Sequence, residues 1–277
     1  MTKARNTPDY LRDLEKWEAY SHPELAKTQP EELFQVSFVE RYKSLHSDLW
    51  WRVIRVHGTL FTLEQLFQFP FDFIYGPYEM EFWWLVTENF VDISVLLLHG
   101  LASDTGNDVH GLRSFQDEIV TAEWLRSDKL ELFKQTLRER KFSEGVESIA
   151  GRVKQIRHTR IAHRLKDKQS GLPKEGLPGV SLEELWVLFD EVHSLFGALS
   201  FGSGYLTLAG DLTPSTVGGE PTRTCLDDVL DAVLRNSFFV NEPERKAKGW
   251  AERRKHRKPE ELRILNDLRN RIGLPEA

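Results

Sequence analysis

Cysteine is almost absent from this chain of 277 residues, which carries Cys225 alone. One thiol excludes an internal disulfide framework and fits a reducing, cytoplasmic setting. The chain also lacks a Cys-x-x-Cys pair, an H-E-x-x-H helix and a G-x-S-x-G elbow, and Gly202-Ser203-Gly204 is followed by neither a lysine nor a helix start. Zinc-site, serine-hydrolase and phosphate-loop chemistries lose their usual carriers, and neither a metal nor a cofactor is expected. No long apolar run is present: the richest stretch, 90–101, is cut by Asp92, Ser94 and His99, so no membrane span is expected. Residues 1–17 are polar and charged, without the apolar core of a secretory leader. An excess of positive charge is missing too, since the net charge of −6 gives no global nucleic-acid signature.

What remains is an ordinary folding composition, 40% hydrophobic and 29% charged, with eight Trp and 17 Phe to fill a core. That many aromatics argue against a disordered chain, and the length allows one large domain or two small ones. Helical periodicity dominates. Phe34, Phe38, Tyr42, Leu45, Leu49, Val53 and Val56 recur at three- and four-residue steps and predict a helix over 31–57. A second helix, 78–101, is apolar nearly all round, as expected of a central helix, with Phe82, Leu85, Asn89, Asp92, Val95 and His99 on one face. Further helices are predicted over 112–125, 128–139 and 143–168. Ser181-Leu182-Glu183-Glu184 resembles a capping box and opens another. Leu226, Val229, Leu230, Val233, Leu234 and Phe238 mark one more, and 260–272 a last, short one. The class is all-α. The organisation read from this is a helical lead-in over 1–30, a helical bundle over 31–201, a loop and packing helix over 202–242, and a basic arm over 243–277.

The chemistry concentrates in Ile156-Arg157-His158-Thr159-Arg160-Ile161-Ala162-His163-Arg164-Leu165. Phosphoryl transfer without metal needs a proton-transfer group beside a fixed positive charge, and His and Arg supply those. An arginine with a histidine about four to six positions on is common here: Arg41–His46, Arg52–His57 and Arg152–His158 all fit. Context distinguishes Arg157–His163. A polar ring, His158, follows the arginine, a small Ala162 precedes the histidine, and the cluster continues an apolar stripe of Val146, Ile149, Val153 and Ile156. On one helix Arg157 and His163 would stand about 120° and about 9 Å apart, so a two-fold dimer of such helices is the simplest way to close the site. The plainer alternative is a solvated basic helix end, favoured by the macrodipole at about 0.3–1 kcal/mol per cation.

Other stretches read more plainly. Asp104-Thr105-Gly106-Asn107-Asp108-Val109-His110 offers oxygens and an imidazole but no known ligand spacing, and turns favour those residues anyway. Trp50-Trp51 and Trp83-Trp84 have the surfaces to stack bases, yet at helical spacing among aliphatics they read as core. Cys225 precedes a helix but has no evident partner histidine. Residues 245–258 hold eight Lys or Arg against one acid, Glu252, and Trp250, Arg254 and Lys255 are candidate RNA contacts there.

Arg157-His158-Thr159-Arg160-Ile161-Ala162-His163-Arg164 resembles the signature of the HEPN superfamily, an arginine, a polar residue, a short spacer and a histidine. It is most similar to the abortive-infection (AbiU-like) branch. There the motif helix reads Arg-polar-Lys-x-x-Ala-His, and the second helix, which ends in an aliphatic-x-x-Leu-x-Asp turn, is similar to the stretch from Phe82-Trp83-Trp84 through Ser103-Asp104. Leu112-Arg113-Ser114-Phe115 matches the short helix that follows. The likeness covers about 31–199. Two positions depart: His158 is a less common polar residue after the arginine, and His99 stands where the branch carries an apolar or basic residue. The resemblance implies an HEPN-like helical bundle and a homodimer with the motif helix at the shared cleft. It also implies, for many members, a metal-independent endoribonuclease in a phage-defence or toxin setting, acting on RNA such as tRNA and regulated by an antitoxin or similar partner. Under it Arg157, His163 and His158 are catalytic and Arg160 and Arg164 bind flanking phosphates. A catalytically silent module binding RNA, nucleotide or a partner protein is the alternative.

Overall fold

The computed structural model describes residues 22–74, 77–102, 110–158, 180–202, 225–237, 240 and 259–276. Among these the secondary structure is helical, and the β-type pairing is one isolated bridge, Phe34 with Trp124. In chain order the helices are α1 (Pro23–Lys27), α2 (Pro30–Leu33), α3 (Val36–Gln68), α4 (Phe71–Ile74), α5 (Pro77–Ala102), α6 (Leu112–Thr121), α7 (Ser127–Glu139), α8 (Phe142–Arg157), α9 (Leu182–Ala198), α10 (Cys225–Asn236) and α11 (Pro259–Arg271).

The long α3 follows its stripe: Val39, Tyr42, Leu49, Val53, Val56, Leu60 and Leu63 are all buried. It starts later than its periodicity predicts, because Phe34 is extended rather than helical. Gln35 donates to the Glu123 carbonyl and Leu125 to the Leu33 carbonyl, which removes both groups from a helical ladder. The Phe34 ring packs within 4.7 Å of Trp124, and the same pairing ends α6 at Thr121, before the predicted 125. At the far end α3 runs on to Gln68, eleven residues beyond the predicted 57, and stops before Phe69-Pro70.

The chain divides into two units, 1–65 with 88–213, and 66–87 with 214–277. In the first, α9 is buried through most of its length, from Leu185 to Ala198. Ser181 caps it as a capping box: its Oγ accepts from the Glu184 N–H at 3.1 Å and the Glu184 carboxylate accepts from the Ser181 N–H at 3.3 Å. Tyr42 ties the end of α9 to α3, donating to the Leu199 carbonyl and accepting from the Phe201 N–H. Arg152 of α8 bonds Glu191 of α9 at 2.9 Å, and a Cβ at Gly145 would meet the Leu195 side chain at 3.3 Å, so the two helices approach closely there. In the second unit Phe71 stacks on Trp83 at 4.0 Å, and Arg271 pairs with the buried Asp231 while covering the Phe69 ring.

The apolar α5 corrects the expectation of a central helix. Val91, Ser94, Val95, Leu98, Leu101 and Ala102 are buried, but Phe82, Leu85, Asn89, Ile93 and Leu96 are exposed. Met80–Ala102, at a mean hydropathy of 1.4, is apolar and long enough to cross a membrane by composition alone. Soluble core helices meet the same criterion. The tryptophan doublets divide as consecutive helical positions must. Trp50 is fully buried while Trp51 is 45% exposed, and Trp83 stacks on Phe71 while Trp84 is 63% exposed.

Candidate functional site

The end of α8 carries the motif arginine. Val146, Ile149 and Val153 lie buried along the helix, and the stripe then surfaces through the half-buried Ile156 to the exposed Arg157 and His158. His158 keeps helical dihedrals (φ −64°, ψ −43°), so helical geometry continues past Arg157. Arg160, His163 and Arg164, and the predicted stretch of this helix to 168, lie outside the described residues, as do Trp250, Arg254 and Lys255 in the basic arm.

Arg157 meets a residue on another helix: its Nη1 lies 3.1 Å from Nε2 of His99, in the last turn of α5. A guanidinium is a donor only, so His99 Nε2 must be the acceptor. In this arrangement the imidazole is neutral, with its proton on Nδ1. Among the described residues the Nε and Nη2 positions of Arg157 make no hydrogen bond, and that edge is the fork that can bind two phosphate oxygens together. The two helix C-termini that deliver Arg157 and His99 are places where the macrodipole favours cations.

The three look-alike spacings have other employment. Arg41 makes two bonds to Glu118, at 2.5 and 2.9 Å, and His46 lies half-buried against the Tyr42, Phe115 and Phe196 rings. The single hydroxyl proton of Ser200 goes to the Phe196 carbonyl, so His46 Nε2–H donates to Ser200 at 2.9 Å. Burial lowers the His46 pKa to about 4. Arg52 donates to the His110 carbonyl and approaches Asp48, and His57 packs against Trp186 and Phe189. Burial, followed by the charge of His57, lowers the His193 pKa to about 3. Arg152 is held by Glu191. Arg157 alone among the four contacts an imidazole in place of a carboxylate or backbone carbonyl, among the described residues.

In sequence His99 is only a departure from the resembled pattern, and nothing there places it in the site. The signal was that departure: an imidazole three residues before the end of an apolar helix. Nothing in the spacing told that Arg157, 58 positions on, would meet it. Of the Asp104–His110 candidate, 104–109 lie outside the described residues, and His110 Nδ1 stands 4.0 Å from Glu118. Among the described residues no three His, Cys, Asp or Glu side chains form a metal-binding group. At the other end of α8 an open groove of about 460 Å³ is lined by Gln116, Lys134, Arg138, Lys141 and Glu144, with Lys134 paired to Glu131. It has cations but no imidazole.

Compared with protein families, curated proteins and solved structures, the chain gives no significant match to any of the three.

Proposed function

We propose that this all-α protein is an HEPN-like, metal-independent endoribonuclease that cleaves RNA by attack of a ribose 2′-OH on the adjacent phosphate. The observation that carries the proposal is Arg157 itself, anchored through Nη1 on His99 and followed directly by His158, with an Nε and Nη2 edge that makes no hydrogen bond among the described residues. A phosphodiester placed on that fork would present two oxygens to Nε and Nη2 in bidentate fashion. His163 takes the 2′-OH proton as the oxygen bonds to phosphorus; the bond to the 5′-oxygen breaks, and that oxygen is protonated on leaving. The products are a 2′,3′-cyclic phosphate and a 5′-OH end. Arg157 stabilises the extra negative charge of the transition state. His158 orients substrate or shares the proton transfer, Arg160 and Arg164 hold flanking phosphates, and Trp250, Arg254 and Lys255 add contacts from the arm. The defence or toxin setting, and a partner that silences the enzyme, follow from the HEPN resemblance.

The test is cleavage of total tRNA and of a single-stranded RNA by wild type and His163→Ala, with EDTA present and the 3′ ends read. Cleavage by wild type alone, leaving cyclic phosphate, is the expected result. RNA bound by both proteins and cut by neither overturns the enzyme and leaves a silent RNA-binding module.

A further inference from the structure

The open groove of about 460 Å³ lies between α6, α7 and the start of α8, wholly within the first unit. Its volume falls in the range of small-ligand sites. The floor is apolar, made by the half-buried Val120 and the buried Leu137 and Phe142. The rim is polar: Lys134, Arg138 and Lys141 are cationic, Glu144 is acidic, and Gln116 adds an amide. Elsewhere on α6 and α8 the arginines are paired with carboxylates, Arg113 with Glu147 and Arg152 with Glu191. Lys134 is held by Glu131 at 3.1 Å. Arg138 and Lys141 form no ion pair among the described residues, so both keep their charge for a ligand.

Lys141 sets this rim apart. It is the one non-glycine residue at positive φ among the described residues (φ 49°, ψ 45°), in the turn between α7 and α8. That left-handed conformation strains a residue with a Cβ, and glycine is its usual occupant after a helix. Here a lysine stands in it and lines the groove. Strain of this kind concentrates at ligand clamps. We propose that the groove binds a small phosphorylated ligand of the nucleotide class. Arg138 holds the phosphate through paired N–H donors, and Lys141 holds it as a point charge. The base lies on the apolar floor with an edge toward Gln116, whose amide offers a donor and an acceptor. Glu144 argues against a bare anion, since a carboxylate repels free phosphate but accepts hydrogen bonds from ribose hydroxyls. The site stands apart from the nuclease proposal: Lys141 and Arg157 are about 24 Å apart along α8. A 5′-phosphorylated RNA end offers the same chemistry, and the experiment separates the two sources.

Calorimetric titration of the full chain tests it, with the ribonucleoside 5′-monophosphates, their nucleosides and inorganic phosphate each added to about 5 mM. At least one monophosphate should bind at least tenfold more tightly than its nucleoside or inorganic phosphate. Arg138→Ala and Lys141→Gly should each weaken that binding at least tenfold. Lys141→Gly also relieves the positive φ, so its melting temperature should match or exceed that of wild type. Affinity lost with no stability lost marks a ligand contact and not a structural one. Glu144→Gln should weaken the monophosphate while inorganic phosphate binds no less well, and Arg157→Ala should bind the monophosphate as wild type does. No binding of any monophosphate, or binding no tighter than that of inorganic phosphate, overturns the proposal. So does binding lost in Arg157→Ala but kept in Lys141→Gly, which would place the nucleotide at the candidate nuclease site. A 5′-phosphorylated RNA dodecamer that binds more tightly than any monophosphate, and loses that affinity in Lys141→Gly, would assign the groove to RNA and overturn it as well.

Discussion

Arg152 and Arg157 stand five residues apart on α8, and each has a histidine six positions on. As sequence they are nearly interchangeable. In the fold they are not. Arg152 spends its guanidinium on both oxygens of Glu191, at 2.9 and 3.0 Å, and fastens α8 to α9. Arg157 reaches His99 with one nitrogen, and its opposite edge makes no bond among the described residues. A cation already neutralised by a carboxylate has little attraction left for a phosphate, whereas one held by a neutral imidazole keeps its full charge and gains a fixed orientation. The difference between a structural arginine and a candidate catalytic one is therefore the charge of its protein partner.

The largest effect should come from removing the second arginine. Arg157→Ala is expected to slow RNA cleavage about 100- to 1,000-fold, the cost of losing a preorganised transition-state donor, with no loss of melting temperature because the side chain is exposed. An unchanged kcat/KM would break the comparison. Acid should act next, through the look-alike histidine of Arg41–His46 and through His193. The folded pKa values, about 4 for His46 and about 3 for His193, lie below the unfolded value near 6.5. The unfolded chain therefore binds protons first as pH falls. Stability is full above pH 6.5 and declines between 6.5 and 4, by up to about 1.4 kcal/mol per pH unit for each imidazole. Urea titrations of wild type and His46→Gln across that range read it, and a stability flat from pH 7 to 4.5 would contradict the burial argument. A smaller change follows at His99. His99→Ala frees the Arg157 fork to swing, and should lower kcat/KM about tenfold mainly through KM. His99→Gln, which still offers an acceptor, should recover part of it. Equal loss in both variants would remove His99 as the group that positions Arg157.

How far these distinctions could be read in advance depended on how local their causes are. The capping box at Ser181 and the bounds of α5, α7 and α11 are short-range patterns, and they were legible to within a few residues. Phe34 fits the α3 periodicity perfectly and is nonetheless extended, because its partner Trp124 sits 90 positions away and outcompetes one helical turn. The phase of α5 was illegible for another reason: a helix apolar on every side carries no moment to say which face turns inward, and α9, equally apolar, is the one that the core encloses. The Arg/His cluster was legible as a cluster. Its contact with His99 was not, since two helix ends 58 residues apart meet only through tertiary packing.

The weakest expected effect sharpens the comparison most. Arg152→Ala removes an ion pair whose partners are 38% and 40% exposed, so solvent already screens it. Such pairs contribute about 0.2–1 kcal/mol. The variant should lose no more than that in a urea titration and should cleave RNA at the wild-type rate, since Arg152 lies more than a helical turn from Arg157 and faces α9. The same substitution at two positions of one helix would then divide cleanly: stability at 152, catalysis at 157. If Arg152→Ala also lost cleavage with its stability intact, the fork of Arg157 would not be the only phosphate contact on α8. The site would have to extend back along the helix toward α9.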